Sequence, residues 1–385
     1  MKLFYYSLAS LLITSCGSTN QSSQEPIADQ KSDSQKKTDA TLKKSDILFS
    51  FAFVGCNRVD RQQEFDTAAT NESTANLVAL KRVFNEVSAL KNKPELFFFL
   101  GDLVLAESTT AKLDSQLAAW DALYEDKSFS KISTSGIELV ALPGNHEMLY
   151  YADYGVENHD EWPLKGATEL WMEHMAEYMP KDRTRITGSD SLVNQMTYSI
   201  IRHNVGFVVM NTDTYNAPTA ENPYGLEGQI PTQWIIDKVN EFQANPAIDH
   251  IFVLGHKPYY VSGNPETGHD GLPAGPILWT ALNKAHVNAM LSAHVHDYQR
   301  EQPDDEGTYQ IIAGNGGSKG EATFFGYTMI TILRNGDIQL TSMGFDKGDP
   351  YYSAVPNNPT IVRDSTILTW TKNANPYSIS APIKQ

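Results

Sequence analysis

The sequence predicts a layered α/β (α+β) fold, two β-sheets flanked by helices in one domain, and three observations carry that prediction. Short apolar runs of four to nine residues recur along the chain, as buried strands require. Between them stand segments whose apolar residues fall at helical spacing, so strands and helices alternate and each sheet acquires a cover. After Asp304 the alternation gives way to strands alone, two of them joined at Asn335-Gly336, a strong hairpin signal.

Taken in order, Ile47 to Gly55 (ILFSFAFVG) is an apolar run between a charged segment and a polar loop, and reads as a buried strand. Ser73 to Lys91 places Leu77, Leu80, Val83, Phe84, Val87 and Leu90 on one helical face, with Asn71 or Ser73 as its cap. Glu95 to Leu100 is a second strand, Ala111 to Tyr124 a helix and Ile137 to Leu142 a third strand. Strands are expected at Thr197 to Ile201, Gly206 to Asn211, Ile251 to Leu254 and Val287 to Leu291. Helices open on prolines at Pro231 to Gln243 and Pro276 to Lys284, a position that needs no amide hydrogen. Tyr309 to Ala313, Tyr327 to Leu333 and Asp337 to Met343 complete the strands. The tail 348–385 shows no clear period and is left open as an extension packed on the domain or completing it.

Composition narrows the function classes. The 385 residues are 41% hydrophobic, enough for a sizeable core, and 46 acidic side chains oppose 30 basic ones for a formal net charge of -16. A chain so acidic is not expected to hold nucleic acid as a stable partner, because such affinity comes from basic groups neutralising phosphates. Residues 17–46 contain no aromatic side chain, with five acidic residues and five lysines. They read as a neutral flexible tether, so the acidic excess belongs to the body.

The first residues form a short positive start, an apolar run from Leu3 to Leu12, then Ile13-Thr14-Ser15-Cys16. This describes a secretory signal too short to span a bilayer. The residues before Cys16 resemble the bacterial lipobox, which implies a signal segment over 1–16, lipidation of Cys16 and a protein tethered in the bacterial cell envelope. The alternative is an ordinary signal peptide cut elsewhere. A lipid anchor would be the only membrane contact, since no other stretch reaches 18 consecutive apolar residues. Oligomeric state is not legible.

Polar residues collect at the ends of the strands, where layered α/β folds bind ligands. The turns read Gly55-Cys56-Asn57-Arg58, Gly101-Asp102, Gly144-Asn145-His146-Glu147, Gly255-His256-Lys257-Pro258 and Ser292-Ala293-His294-Val295-His296, and they gather four of the ten histidines. Singly, Asp102 is as readily a helix cap and Asn145-His146 a turn; together they read as a metal site. The last turn reads as an extended segment, in which His294 and His296 point the same way and can hold two neighbouring metals.

Gly-Asp, Gly-Asn-His-Glu, Gly-His and His-x-His, in that order over roughly Phe51 to Phe345, resemble the calcineurin-like metallophosphoesterase superfamily. His256-Lys257-Pro258-Tyr259-Tyr260, His294 to Arg300 and Gly314-Asn315-Gly316-Gly317 are closest to its purple acid phosphatase-like branch. The resemblance implies a four-layer sandwich of two mixed β-sheets over 47–347. It also implies a phosphomonoesterase or phosphodiesterase working with two divalent or mixed-valence metal ions (Zn, Fe or Mn). Asp102 would bridge the ions, Asn145, His256 and His294 would complete the second site, His296 would serve the first, and His146 would donate a proton.

The sequence departs from that pattern at the first turn. Cys56 stands where the family has aspartate and Arg58 where it often has histidine. Cys56 is read two ways, as a thiolate ligand or as a buried apolar residue beside an incomplete first site. Arg58 cannot bind a metal but suits a phosphate oxygen, with Asn57 and His269 as further substrate contacts. Leu105 occupies the position of the ligating tyrosine of the purple enzymes, so no purple colour is expected. Asn211-Thr212-Asp213 ends a strand and is expected to pack under the site. The rival to an enzyme is a catalytically weakened surface lipoprotein of the same fold that binds a phosphate ligand or a partner.

Overall fold

The structure is a computed structural model, and it describes residues 43–59, 72–150, 162–186, 195–213, 230–259, 261, 269, 271–272, 275–303, 307–319 and 322–371. Cys16 and the expected signal and tether lie outside the described residues, apart from 43–46.

The strands are β1 (Ile47–Val54), β2 (Leu96–Leu100), β3 (Glu138–Leu142), β4 (Leu149–Tyr150), β5 (Trp162–Pro163), β6 (Thr184–Arg185), β7 (Tyr198–Arg202) and β8 (Val205–Val209). They continue as β9 (His250–Leu254), β10 (Ala289–Ser292), β11 (Tyr298–Glu301), β12 (Tyr309–Ala313), β13 (Phe324–Leu333), β14 (Ile338–Asp346) and β15 (Ile361–Leu368). The helices are α1 (Leu77–Ala89), α2 (Thr110–Glu125), α3 (Asn145–Met148), α4 (Ala167–Met175), α5 (Thr232–Ala244) and α6 (Gly275–Lys284).

Two mixed sheets form, as expected. One runs β15-β14-β13-β1-β2-β3, the other β11-β12-β10-β9-β8-β7-β6. In the first, β1, β2 and β3 are parallel and the late strands antiparallel. In the second, β8, β9, β10 and β12 are parallel. Aromatic rings join the sheets: Phe51 of β1 meets Phe98 of β2, and it meets Phe207 of β8 and Phe252 of β9 with ring centres 5.1 Å away in each case. On the outer face of the first sheet, Phe84 of α1 and Trp120 of α2 pack on Phe97 and Phe99. On the outer face of the second, Ile235 and Val239 of α5 and Leu278 and Trp279 of α6 share a buried cluster with Val208, Ile251 and Val253. Successive residues of a strand thus face different layers, and the central strands β2, β8 and β9 are buried on both faces.

Some boundaries differ from expectation. Helix α1 begins at Leu77, capped by Asn76, whose Oδ1 accepts from the Ala79 N–H at 3.2 Å. Ser73 is not the cap; its Oγ accepts from the Ala75 N–H, and Ala75 bridges to Arg58. Tertiary pairing with the first turn holds this stretch out of the helix that its spacing favours. The expected strand at Asp337 extends to Asp346, and β15, inside the segment left open, forms the edge of the first sheet. Among the described residues, no helix is long and apolar enough to cross a membrane.

Candidate metal centre

The carboxyl ends of β1, β2, β3, β9 and β10 converge, and hydrogen bonds stitch their turns together. Cys56 N–H donates to the Gly101 carbonyl and Asn57 N–H to the Asp102 carbonyl, each at 2.9 Å. Ala293 N–H donates to the His256 carbonyl. Cys56, Asp102 and His294 all have left-handed backbones, with φ of 57°, 56° and 62°. Each such residue costs about 1–2 kcal/mol, so the stitched turns must hold them there. Glycine is required at 144, where a Cβ would lie 2.4 Å from Asp102 Oδ1 and 2.8 Å from His256 Cε1.

Cys56, Asp102 and His256 are buried and each offers a ligand atom within 4.8 Å of the others. Asp102 Oδ1 lies 3.3 Å from His256 Nε2, which lies 2.8 Å from Asn145 Oδ1. Asn145 Oδ1 is also 3.2 Å from His294 Nδ1. His256 Nδ1 is 2.7 Å from the Leu100 carbonyl. A carbonyl only accepts, so Nδ1 carries hydrogen and the lone pair of a neutral His256 sits at Nε2. That lone pair faces two oxygen acceptors in a dry site. Either a second proton or a cation has to resolve the conflict, so these residues fit a metal ion.

Arg58 closes one side. Its Nε lies 3.3 Å from Asp102 Oδ2 and its Nη2 3.4 Å from His296 Nε2, and its side chain is 9% exposed. His146 donates its backbone N–H to Asp102 Oδ1, and its Nδ1 meets the Leu105 carbonyl at 3.1 Å. The His269 ring centre is 5.0 Å from that of His294 and 4.9 Å from that of His296. Asn57 is not on this surface: it is fully buried, and its amide donates to the Gly316 carbonyl at 2.7 Å, bracing the glycine turn. The His294 turn is left-handed at His294 and not extended; His294 reaches Asn145 and His296 reaches Arg58, while both rings pack against His269.

Burial governs the electrostatics. It pushes the Asp102 carboxyl up, but His256 and further positive charge around it, including the permanent charge of Arg58, outweigh burial and hold the group well below the carboxylate range. Burial and then Arg58 drive His146 down to about 3, and burial also drives His294 and His296 well down. With those three imidazoles neutral, Arg58 is the cation among these partners whose charge is permanent. Burial, then the Asp102 charge, raises the Cys56 thiol, so it keeps its proton until a metal displaces it.

Two supports went unassigned in the sequence. Glu147 is fully buried; its Oε2 accepts from Asp102 N at 3.0 Å and Gly144 N at 2.7 Å, and its Oε1 from Val104 N at 3.0 Å. Its signal was a glutamate three residues after the residue that opens a helical turn. Lys257, fully buried, pairs with Asp213 at 3.6 Å, and Thr212 Oγ1 accepts from Lys257 N while donating to Asp213. This is how Asn211-Thr212-Asp213 lies under the site.

The family model for calcineurin-like phosphoesterase matches residues 50–298. The solved structure of PhoD is 13% identical with a TM-score of 0.50, over 84% of this chain and 70% of that one. A purple acid phosphatase from yellow lupin (Lupinus luteus) seeds is 16% identical with a TM-score of 0.49, over 82% of this chain. The present chain spans about half the lupin enzyme's length, 54%. No curated protein matches.

Proposed function

This chain belongs to the calcineurin-like phosphoesterase family, a family of phosphoester hydrolases, and from that premise we propose that it hydrolyses a phosphate mono- or diester with metal bound at the turns described above. The observation that carries the reading is the buried set of donors around Asp102, where His256, Asn145 and Cys56 come together. Asp102, Asn145, His256 and His294 would hold one ion. The family resemblance implies a second ion drawing on Cys56, Asp102 and His296, where Arg58 already lies against Asp102 and His296. Sulfur and nitrogen ligation favours zinc or iron over manganese. When bound, such an ion supplies Lewis-acid polarisation of the phosphoryl group and acidification of water.

The chain's own residues then divide the work. Leu100 and Leu105 carbonyls fix the rings of His256 and His146. Asp102, held ionised, offers both oxygens. Arg58 supplies fixed positive charge where an anionic ester must enter a molecule of net charge -16. His146 stands beside Asp102 and is neutral here, with its Nδ1 hydrogen on the Leu105 carbonyl. It would take a proton at Nε2 from water before passing one to the leaving oxygen, and His269 packs against the His294 and His296 rings.

The test is metal content together with turnover of aryl phosphate mono- and diesters. Asn145→Ala is expected to lose both; a metal-free protein without turnover overturns the reading. Arg58, in bonding two of the expected ligands, favours a second reading, a phosphate-binding protein of the same fold, which the same assay separates by binding without turnover. We further place the chain in the bacterial envelope through lipid on Cys16, with 17–46 as tether, 47–347 as the catalytic domain and 348–385 as its completion. Cys16→Ala should abolish palmitate labelling and release the protein from the membrane fraction; unchanged labelling defeats that assignment.

A further inference from the structure

We infer that the guanidinium of Arg58 holds the position a second metal ion would take, so that the centre binds a single ion beside a fixed organic cation. The inference rests on the hydrolase reading above and concerns how its positive charge is assembled.

The two oxygens of Asp102 face different partners. Oδ1 turns to His256 Nε2 at 3.3 Å and accepts from the His146 N–H, on the side where Asn145 and His294 converge. Oδ2 turns to Arg58 Nε at 3.3 Å. A carboxylate placed to bridge two cations therefore meets metal donors on one side and an arginine on the other.

His296 leads to the same conclusion. Its Nδ1 lies against the Lys319 carbonyl and its Nε2 lies 3.4 Å from Arg58 Nη2. A carbonyl only accepts and a guanidinium only donates, so Nδ1 must carry hydrogen and the Nε2 lone pair goes to Arg58. The lone pair that His296 would give a metal is thus engaged.

Arg58 is also held in place. Its carbonyl accepts from Ser318 Oγ at 2.8 Å, its backbone bridges to Ala75, and the neighbouring Val59 N–H donates to Thr74. These bonds fix its backbone, so the guanidinium reaches Asp102 and His296 from a fixed anchor. Unlike histidine or lysine, it cannot shed its charge to admit an ion. Cys56, the other donor peculiar to this first turn, clusters with Asp102 and His256, so it can join the one remaining site.

The experiment loads the purified full chain with zinc, removes excess, and counts ions per chain by mass spectrometry; a parallel sample takes manganese for electron paramagnetic resonance. The expected result is one zinc and an uncoupled six-line manganese spectrum. In the Cys56→Asp/Arg58→His variant, two ions and a spin-coupled spectrum are expected. Two ions in the native chain overturn the inference and leave the hydrolase reading standing. One ion in both proteins overturns the role given to Arg58, and no ion with no turnover overturns both readings. Should the double variant fail to melt cooperatively, anomalous diffraction from the zinc-loaded native protein decides. One peak near Asn145, with Arg58 still on Asp102 Oδ2, supports the inference; a second peak between Asp102 and His296 refutes it.

Discussion

Glu147→Gln isolates the buried carboxyl that holds the metal-bearing turns together; burial and then the Asp102 charge push it up to about 8, so the comparison is made at about pH 9, where it is ionised. Its three accepted hydrogen bonds fall two on Oε2 and one on Oε1. A glutamine can keep two by placing its oxygen at the Oε2 position. Its NH2 then meets the Val104 N–H, donor against donor. One orphaned amide hydrogen and one orphaned NH2 each cost about 1–3 kcal/mol, together about 2–6 kcal/mol. The opposite amide orientation orphans the Asp102 and Gly144 amides instead and costs more. At roughly 2 °C per kcal/mol for a chain of this size, the melting midpoint should fall about 4–12 °C. Because the Asp102 turn loosens, zinc affinity should fall about 10–100-fold, as when a group supporting a metal ligand is lost. The assays are scanning calorimetry of the metal-free chain and competitive zinc titration, with Glu241→Gln at an exposed helix position as the control. A melting point and zinc affinity both equal to the control's would refute the reasoning.

Lys257→Met should destabilise by about 3–5 kcal/mol in urea denaturation, because it strands the buried Asp213 charge, and Lys257→Met/Asp213→Asn should recover most of that loss; equal losses in both variants count against the pair. Asp364 on β15 accepts from Tyr298 and Arg300 on β11, both at 2.7 Å, and so clasps the edges of the two sheets. Burial opposes those bonds, yet the carboxyl lies below its ordinary value of 3.8. The clasp's stability is therefore present above that value and lost as pH falls through the depressed one, and Asp364→Asn should cost about 1–2 kcal/mol at neutral pH. A wild-type acid limb retained in the variant would refute this. His146→Ala should lower kcat about 10²–10⁴-fold with zinc content unchanged, the range for one proton-transfer group. An unaltered kcat removes His146 from the reaction. Arg58→Gln should weaken inorganic phosphate binding by the zinc-loaded chain about 10–100-fold in calorimetry; equal affinity would show that its charge faces elsewhere.

Much of the molecule was legible because local chemistry and final environment agree. The runs ILFSFAFV and LFFFL are buried on both faces, and nearly unbroken hydrophobicity says so without a partner strand. The five polar turns stood out because glycine and histidine recur where an apolar run stops. Where local and tertiary demands diverged, the sequence misled. Ser73 looked like a cap, but pairing with Arg58's neighbours moved the helix start to Asn76. The edge strand β15 has two exposed hydrophobic residues, Ile361 and Val362, beside a register shift against β14, which blurs its alternation. Asn57 sits between two site residues in the chain, yet it faces the glycine turn.

By itself the sequence determined the two-sheet fold, its family, and which strand ends carry donors, because burial and turn chemistry are written in short windows. Only the tertiary structure decided how those donors divide. Cys56 and Arg58 are two residues apart, but the left-handed backbone at Cys56 puts the thiol with Asp102 and His256 and lets Arg58 reach Asp102 and His296. Which lone pair meets which cation depends on ring and guanidinium orientations set by carbonyls far away in the chain, such as those of Leu100 and Lys319. No local pattern encodes those contacts, because they exist only once the strand ends have met.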